Sequence, residues 1–116
     1  MTAAQAALLT RLRDLLADEP VLREVAMFGG RCLMVNEKLL VSASKDGGLL
    51  VRVPAERHDE LLVRPGAEQA EMGTGRTMGP GWIEVAPEAL ADEQGLAAWV
   101  GVALEYNRAI TAGDPE

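Results

Sequence analysis

The sequence predicts an α+β fold: an antiparallel sheet with flanking helices, in the order α-β3-α-β2-α. Three observations lead there. Apolar residues recur at helical spacing near both ends of the chain, and they alternate with period two through the middle. The alternating runs are joined by tight turns, which suit antiparallel neighbours and are too short for parallel crossovers.

The first element spans about residues 2–18. Leu8, Leu12, Leu15 and Leu16 form a stripe, Arg11, Arg13, Asp14 and Asp18 lie on the other side, and Pro20 stops the helix. Such a stripe is stable only when docked, so it implies a sheet beside it. The period changes at Val25-Ala26-Met27-Phe28, which leads into Gly29-Gly30. Residues 31–36 form the first predicted strand and Asn36-Glu37 a tight turn. Residues 38–44 form the second strand, with Leu39, Val41 and Ala43 on one face and Leu40, Ser42 and Ser44 on the other. Lys45-Asp46-Gly47-Gly48 reads as a hairpin turn, because Asp-Gly accepts positive φ. Residues 49–53 are the third strand, with Arg52 pointing opposite to Val51 and Val53.

Pro54 opens a short helix whose first turn carries Glu56, Asp59 and Glu60, ahead of Leu61-Leu62 and the stop at Pro65-Gly66. Residues 67–72 form a fourth strand and residues 73–81 a glycine-rich loop. Residues 82–85 are the last strand. Pro87-Glu88 begins the C-terminal helical region. Asp92 caps a helix striped by Leu96, Trp99, Val100, Ala103 and Leu104, and a polar tail follows from Thr111. No repeat or linker divides the chain, so residues 1–116 read as one domain with an ordered core over about residues 3–110.

Charge narrows the function. The 116 residues carry 11 basic and 18 acidic side chains, a net charge of −7. That balance argues against direct, non-specific nucleic-acid binding and against adhesion to anionic membranes. Cys32 is the single cysteine and His58 the single histidine. An internal disulfide is therefore impossible and a structural zinc site lacks ligands, so we expect neither metal nor cofactor. Cys32 and His58 are the only nucleophile–base pair the inventory allows, but Cys32-Leu33-Met34-Val35 reads as buried strand. The N-terminus lacks the basic start of a secretory signal, and no run reaches the length of a membrane span. The expected location is cytoplasmic.

Gly29-Gly30-Arg31 and Gly75-Arg76 are the candidate recognition residues. Closely spaced glycines bring backbone N–H groups near a visitor, and each set precedes an arginine able to grip an anion in two-pronged fashion. Neither set matches a P-loop or dinucleotide fingerprint, and turn formation also explains the glycines. Met27, Met34, Met72 and Met78 suit either core filling or an adaptable groove. Glu56 and Glu60 share a helix face, which a solvated first turn explains without catalysis. Phe28, Trp82, Trp99 and Tyr106 are scattered along the chain, a poor stock for base stacking. No catalytic residue stands out.

The run Met27-Phe28-Gly29-Gly30-Arg31-Cys32-Leu33-Met34-Val35-Asn36 resembles the opening of the TfoX/Sxy N-terminal domain family. Further segments agree in order: residues 46–53, Arg64-Pro65-Gly66-Ala67, Gly75-Arg76-Thr77-Met78, Gly81-Trp82 and Leu96-Ala97-Ala98-Trp99-Val100. The resemblance covers about residues 9–107 and implies a secretion-chaperone-like fold. In competence regulators of the family this domain precedes a helical C-terminal domain; the present chain is similar to the stand-alone, single-domain members. The resemblance implies a non-enzymatic regulatory module that works through an unidentified protein partner, with no catalytic residues to carry over. An open sheet face or the terminal helices would serve a partner or a homodimer. The alternative is an anion- or small-molecule-binding protein or enzyme that uses the glycine-rich loops with Arg31, Arg52 or Arg76. Clustering of those arginines would favour the alternative, and a flat apolar patch the first reading.

Overall fold

The computed structural model describes residues 2–19, 21–27, 30–71 and 76–112. Helix α1 (Ala3–Leu15) starts at Thr2, whose hydroxyl oxygen accepts the Gln5 N–H at 3.1 Å. Four strands follow: β1 (Leu22–Met27), β2 (Gly30–Val35), β3 (Lys38–Ala43) and β4 (Leu49–Arg52). A 3₁₀ turn (Ala55–Arg57) runs into the short helix α2 (His58–Leu62), and β5 (Ala67–Gln69) and β6 (Trp82–Val85) come next. A second 3₁₀ turn (Pro87–Leu90) precedes the long helix α3 (Glu93–Ala112). Asp92 caps that helix by accepting the Gln94 N–H at 3.3 Å.

The α+β class with an antiparallel sheet holds, while the order becomes α-β4-α-β2-α. The strand absent from the sequence reading is β1. It lies at the edge of the sheet, pairs on one side only, and carries Arg23-Glu24 in its middle. A half-exposed edge strand needs little apolar alternation, so its pattern is weak.

The strands form one sheet in the order β1-β2-β3-β4-β6-β5, antiparallel throughout. Asn36 and Glu37 make the β2–β3 turn with φ of 55° and 65°. Two successive left-handed residues are the signature of a type I′ hairpin, the turn whose twist matches that of the strands. At the start of β5, Gly66 has φ of 81° and the Ala67 N–H returns to the Arg64 carbonyl at 3.1 Å. A glycine is required there because the turn's third residue must be left-handed.

One face of the sheet carries the helices. Leu33, Val41, Val51 and Ile83 form a row across it, and they share a buried cluster with Leu9 and Leu12 of α1, Leu61 of α2, and Leu96, Trp99 and Val100 of α3. The second predicted strand departs from simple alternation. Leu33 pairs with Val41 but Met34 pairs with Leu39, so Leu40 is an extra residue, a β-bulge. The extra residue lets Leu40 and Val41 both enter the core, at 1% and 0% exposure. Leu39, expected beside Val41, is displaced to the opposite face with Met34.

Candidate recognition surface

The face turned away from the helices follows from the register. Val25, Cys32, Ser42, Leu50, Glu84 and Glu68 stand opposite one another in a row that crosses all the strands. A second row on that face contains Arg23, Met34 and Leu39, and Arg52 stands opposite Trp82. Val25, Met34, Leu39, Leu50 and Trp82 are half-buried, and none belongs to the core cluster. Helix α3 reaches the Trp82 end of this face through Tyr106, which lies against Arg52. The small Cys32 and Ser42, neighbours in the first row, are buried, and the cysteine thiol donates to the Ser42 Oγ at 3.4 Å.

Arg52 occupies an unusual setting. Its guanidinium carbon lies 5.1 Å from the Trp82 ring centroid and 5.6 Å from that of Tyr106. Both distances are within the range of cation–π attraction. The aromatics are scattered along the sequence, yet the fold brings Trp82 and Tyr106 of α3 to one arginine. The β4–β6 pairing that places Trp82 opposite Arg52 joins residues 30 apart in sequence, so no local pattern announces it. Arg11, Arg13, Arg23, Arg57 and Arg108 each pair with a carboxylate. Among the described residues, no carboxylate comes within salt-bridge distance of Arg52 and no hydrogen bond takes its N–H groups.

Trp82 is positioned by a buried network that sequence inspection did not reveal. His58, 5% exposed at the start of α2, accepts the Gly81 N–H on Nδ1 at 2.9 Å. The backbone N–H can only donate, so the ring proton sits on Nε2, facing Gln69 Oε1 at 2.8 Å. The Gln69 amide in turn donates to the carbonyls of Gly79, at 2.9 Å, and Trp82, at 3.3 Å. His58 therefore clamps the glycine-rich approach to β6. Cys32, on the opposite sheet face, has Ser42 and not His58 as its polar partner.

Of the candidate recognition residues, Gly29 and Gly75 lie outside the described residues. Gly30 opens β2 opposite Met27, and Arg31 is half-buried in the row Ala26, Arg31, Ala43, Leu49, Val85. Arg76 is exposed and precedes Thr77, which bridges to Glu71 beyond the Trp82 end of β6. Arg31 and Arg76 thus sit toward opposite ends of the sheet, with β3 and β4 between their lines. The fold does not bring Arg31, Arg52 and Arg76 into one cluster.

The acidic end of the open face is electrostatically distinct. Burial holds the Glu84 carboxyl above the usual carboxylate range, opposed by a 2.8 Å hydrogen bond from the Ser44 hydroxyl, with Asp46 and Glu68 adding like charge. No group of acidic, cysteine or histidine side chains among the described residues is arranged to hold a metal ion. No described helix is long and apolar enough to cross a membrane.

The TfoX N-terminal domain profile matches residues 14–106. The chain belongs to the TfoX N-terminal domain family. The match begins at the end of α1 and spans every strand and the first 14 residues of α3, so the open face and the Arg52 cluster of this TfoX-family domain lie inside it. A comparison with curated proteins gives no match.

Proposed function

We propose that this TfoX-family domain is a cytoplasmic regulatory module without catalytic activity of its own, and that it acts by docking a protein partner on the open face of its sheet. One observation carries the reading. Val25, Met34, Leu39, Leu50 and Trp82 gather on the sheet face turned away from the buried core, and contiguous half-exposed apolar surface marks interaction sites. Family membership supports a regulatory role, and transcriptional control of competence through a DNA-binding partner is consistent with the net charge of −7. Arg76, exposed beyond the Trp82 end of β6, remains a candidate secondary contact, whereas Arg31 stands in a row on the helix-bearing face and lies away from the proposed docking surface. The separation of Arg31 from Arg76 gives no support to the alternative of one clustered anion pocket.

The test is partner capture with matched variants. Leu39→Lys with Leu50→Lys places two charges on the open face, and Ala97→Lys places one on the exposed side of α3. Wild type and Ala97→Lys should retain the same partner under conditions in which the double variant loses it and keeps a native circular dichroism spectrum. Retention of the partner by a folded double variant overturns the proposal.

A further inference from the structure

The Arg52 cluster says what kind of group the partner presents. A guanidinium flanked by rings uses its faces for cation–π contact and leaves its N–H edges for a ligand. Stacking also restricts the long side chain before anything binds, which lowers the entropic cost of making the hydrogen bonds. Arg52 is half-buried, and in a chain with 18 acidic and 11 basic residues it has no carboxylate partner among the described residues. Arg64 also stacks on one ring, that of Trp99 at 5.3 Å, but Trp99 belongs to the helix-covered core. Arg52 stands instead against Trp82 at the margin of the open face.

Resting on the reading of that face as a docking surface, we propose that Arg52 is a carboxylate-binding anchor that takes an aspartate or glutamate from an apolar segment of the partner protein. The planar fork of the guanidinium matches a carboxylate in two parallel hydrogen bonds. Charge selects carboxylate over phosphate. A dianion calls for more than one cation, and Arg23 on the same face is already held by Glu37 at 2.9 Å. Glu84 and Glu68, across that face, repel a second negative charge. Trp82 flanks the site with apolar surface for the neighbouring residues of the segment, and Leu39 lies on the same face.

The test titrates the whole chain, ¹⁵N-labelled, with the peptide acetyl-Gly-Leu-Asp-Leu-Gly-amide, its Asn counterpart and inorganic phosphate at constant ionic strength. The Arg52 Nε–H signal is assigned by its loss in Arg52→Lys, or in Arg52→Met should the lysine variant fold poorly. The Asp peptide should shift the Arg52 Nε–H and Trp82 indole signals saturably, with the Asn peptide and phosphate each weaker by about tenfold or more. Arg52→Lys keeps the charge but loses the fork and should lose most of the preference for Asp. Equal binding of the Asp and Asn peptides, an unmoved Arg52 signal, or tighter binding of phosphate overturns the assignment. Partner capture separates this failure from failure of the docking face. A partner lost by Leu39→Lys with Leu50→Lys but kept by Arg52→Met leaves the face in place and removes the anchor.

Discussion

Single residues show where this fold holds polar groups at a cost. Glu84 is the clearest case, because burial raises its carboxyl above the ordinary range while Ser44 only partly compensates. A carboxyl whose folded value lies above its unfolded one favours folding when protonated. That contribution is complete below the unfolded value and disappears as pH rises through the folded value. The ionised form therefore weakens the fold near neutrality. Glu84→Gln, which retains an oxygen for the Ser44 hydroxyl, should raise the melting temperature at about pH 7, and the gain should shrink toward about pH 4 as the wild type protonates. Thermal unfolding of both proteins across that range checks it; a lower melting temperature for the variant near neutrality refutes it. Glu24 shows the opposite sign. The Arg13 guanidinium binds it through two N–H groups, at 2.7 and 2.9 Å, and holds its carboxyl below the ordinary range. Cys32 follows the expectation of a buried strand residue, at 2% exposure.

Elements are held in register by a few buried polar contacts between them. Asn107 of α3, 2% exposed, donates to the Val35 carbonyl at 2.9 Å and accepts from the Asn36 amide at 3.3 Å. It thereby ties the long helix to the β2–β3 turn, whose backbone is left-handed at both central residues. Asn107→Ala should cost about 1–3 kcal/mol, the usual range for removing one partner of a buried polar pair. Asn107→Asp should cost more, since a carboxylate cannot donate to the Val35 carbonyl and would bury a charge. Urea unfolding of the two variants checks the order, and an aspartate variant as stable as wild type refutes it. At this scale the sequence was legible wherever local chemistry decides. Asn36-Glu37, Asp46-Gly47 and Pro65-Gly66 mark turns through backbone preference, and Trp82–Val85 shows clean alternation. The bulge at Leu40 was not legible, because its cause is the competition of two leucines for one core.

The whole molecule combines a net negative charge with one sheet face packed on the helix-bearing core and one turned away from it. Few phosphates can be neutralised by a chain of charge −7, so arbitrary duplex DNA should show no sub-micromolar gel shift at about 150 mM salt. A tight shift under those conditions would show that the domain contacts DNA itself rather than through a partner.

The α+β class, the helices at both ends, the turn positions and the family resemblance were all determined by the sequence, because each depends on residues close together in the chain. The tertiary structure alone decided which strands become neighbours. It added the edge strand β1, placed Arg52 opposite Trp82 and beside Tyr106, joined His58 to Gly81, and kept Arg31 away from Arg76. Each of these follows from pairing or packing between distant segments, where the energy comes from burying one surface against another and leaves no local periodicity to read.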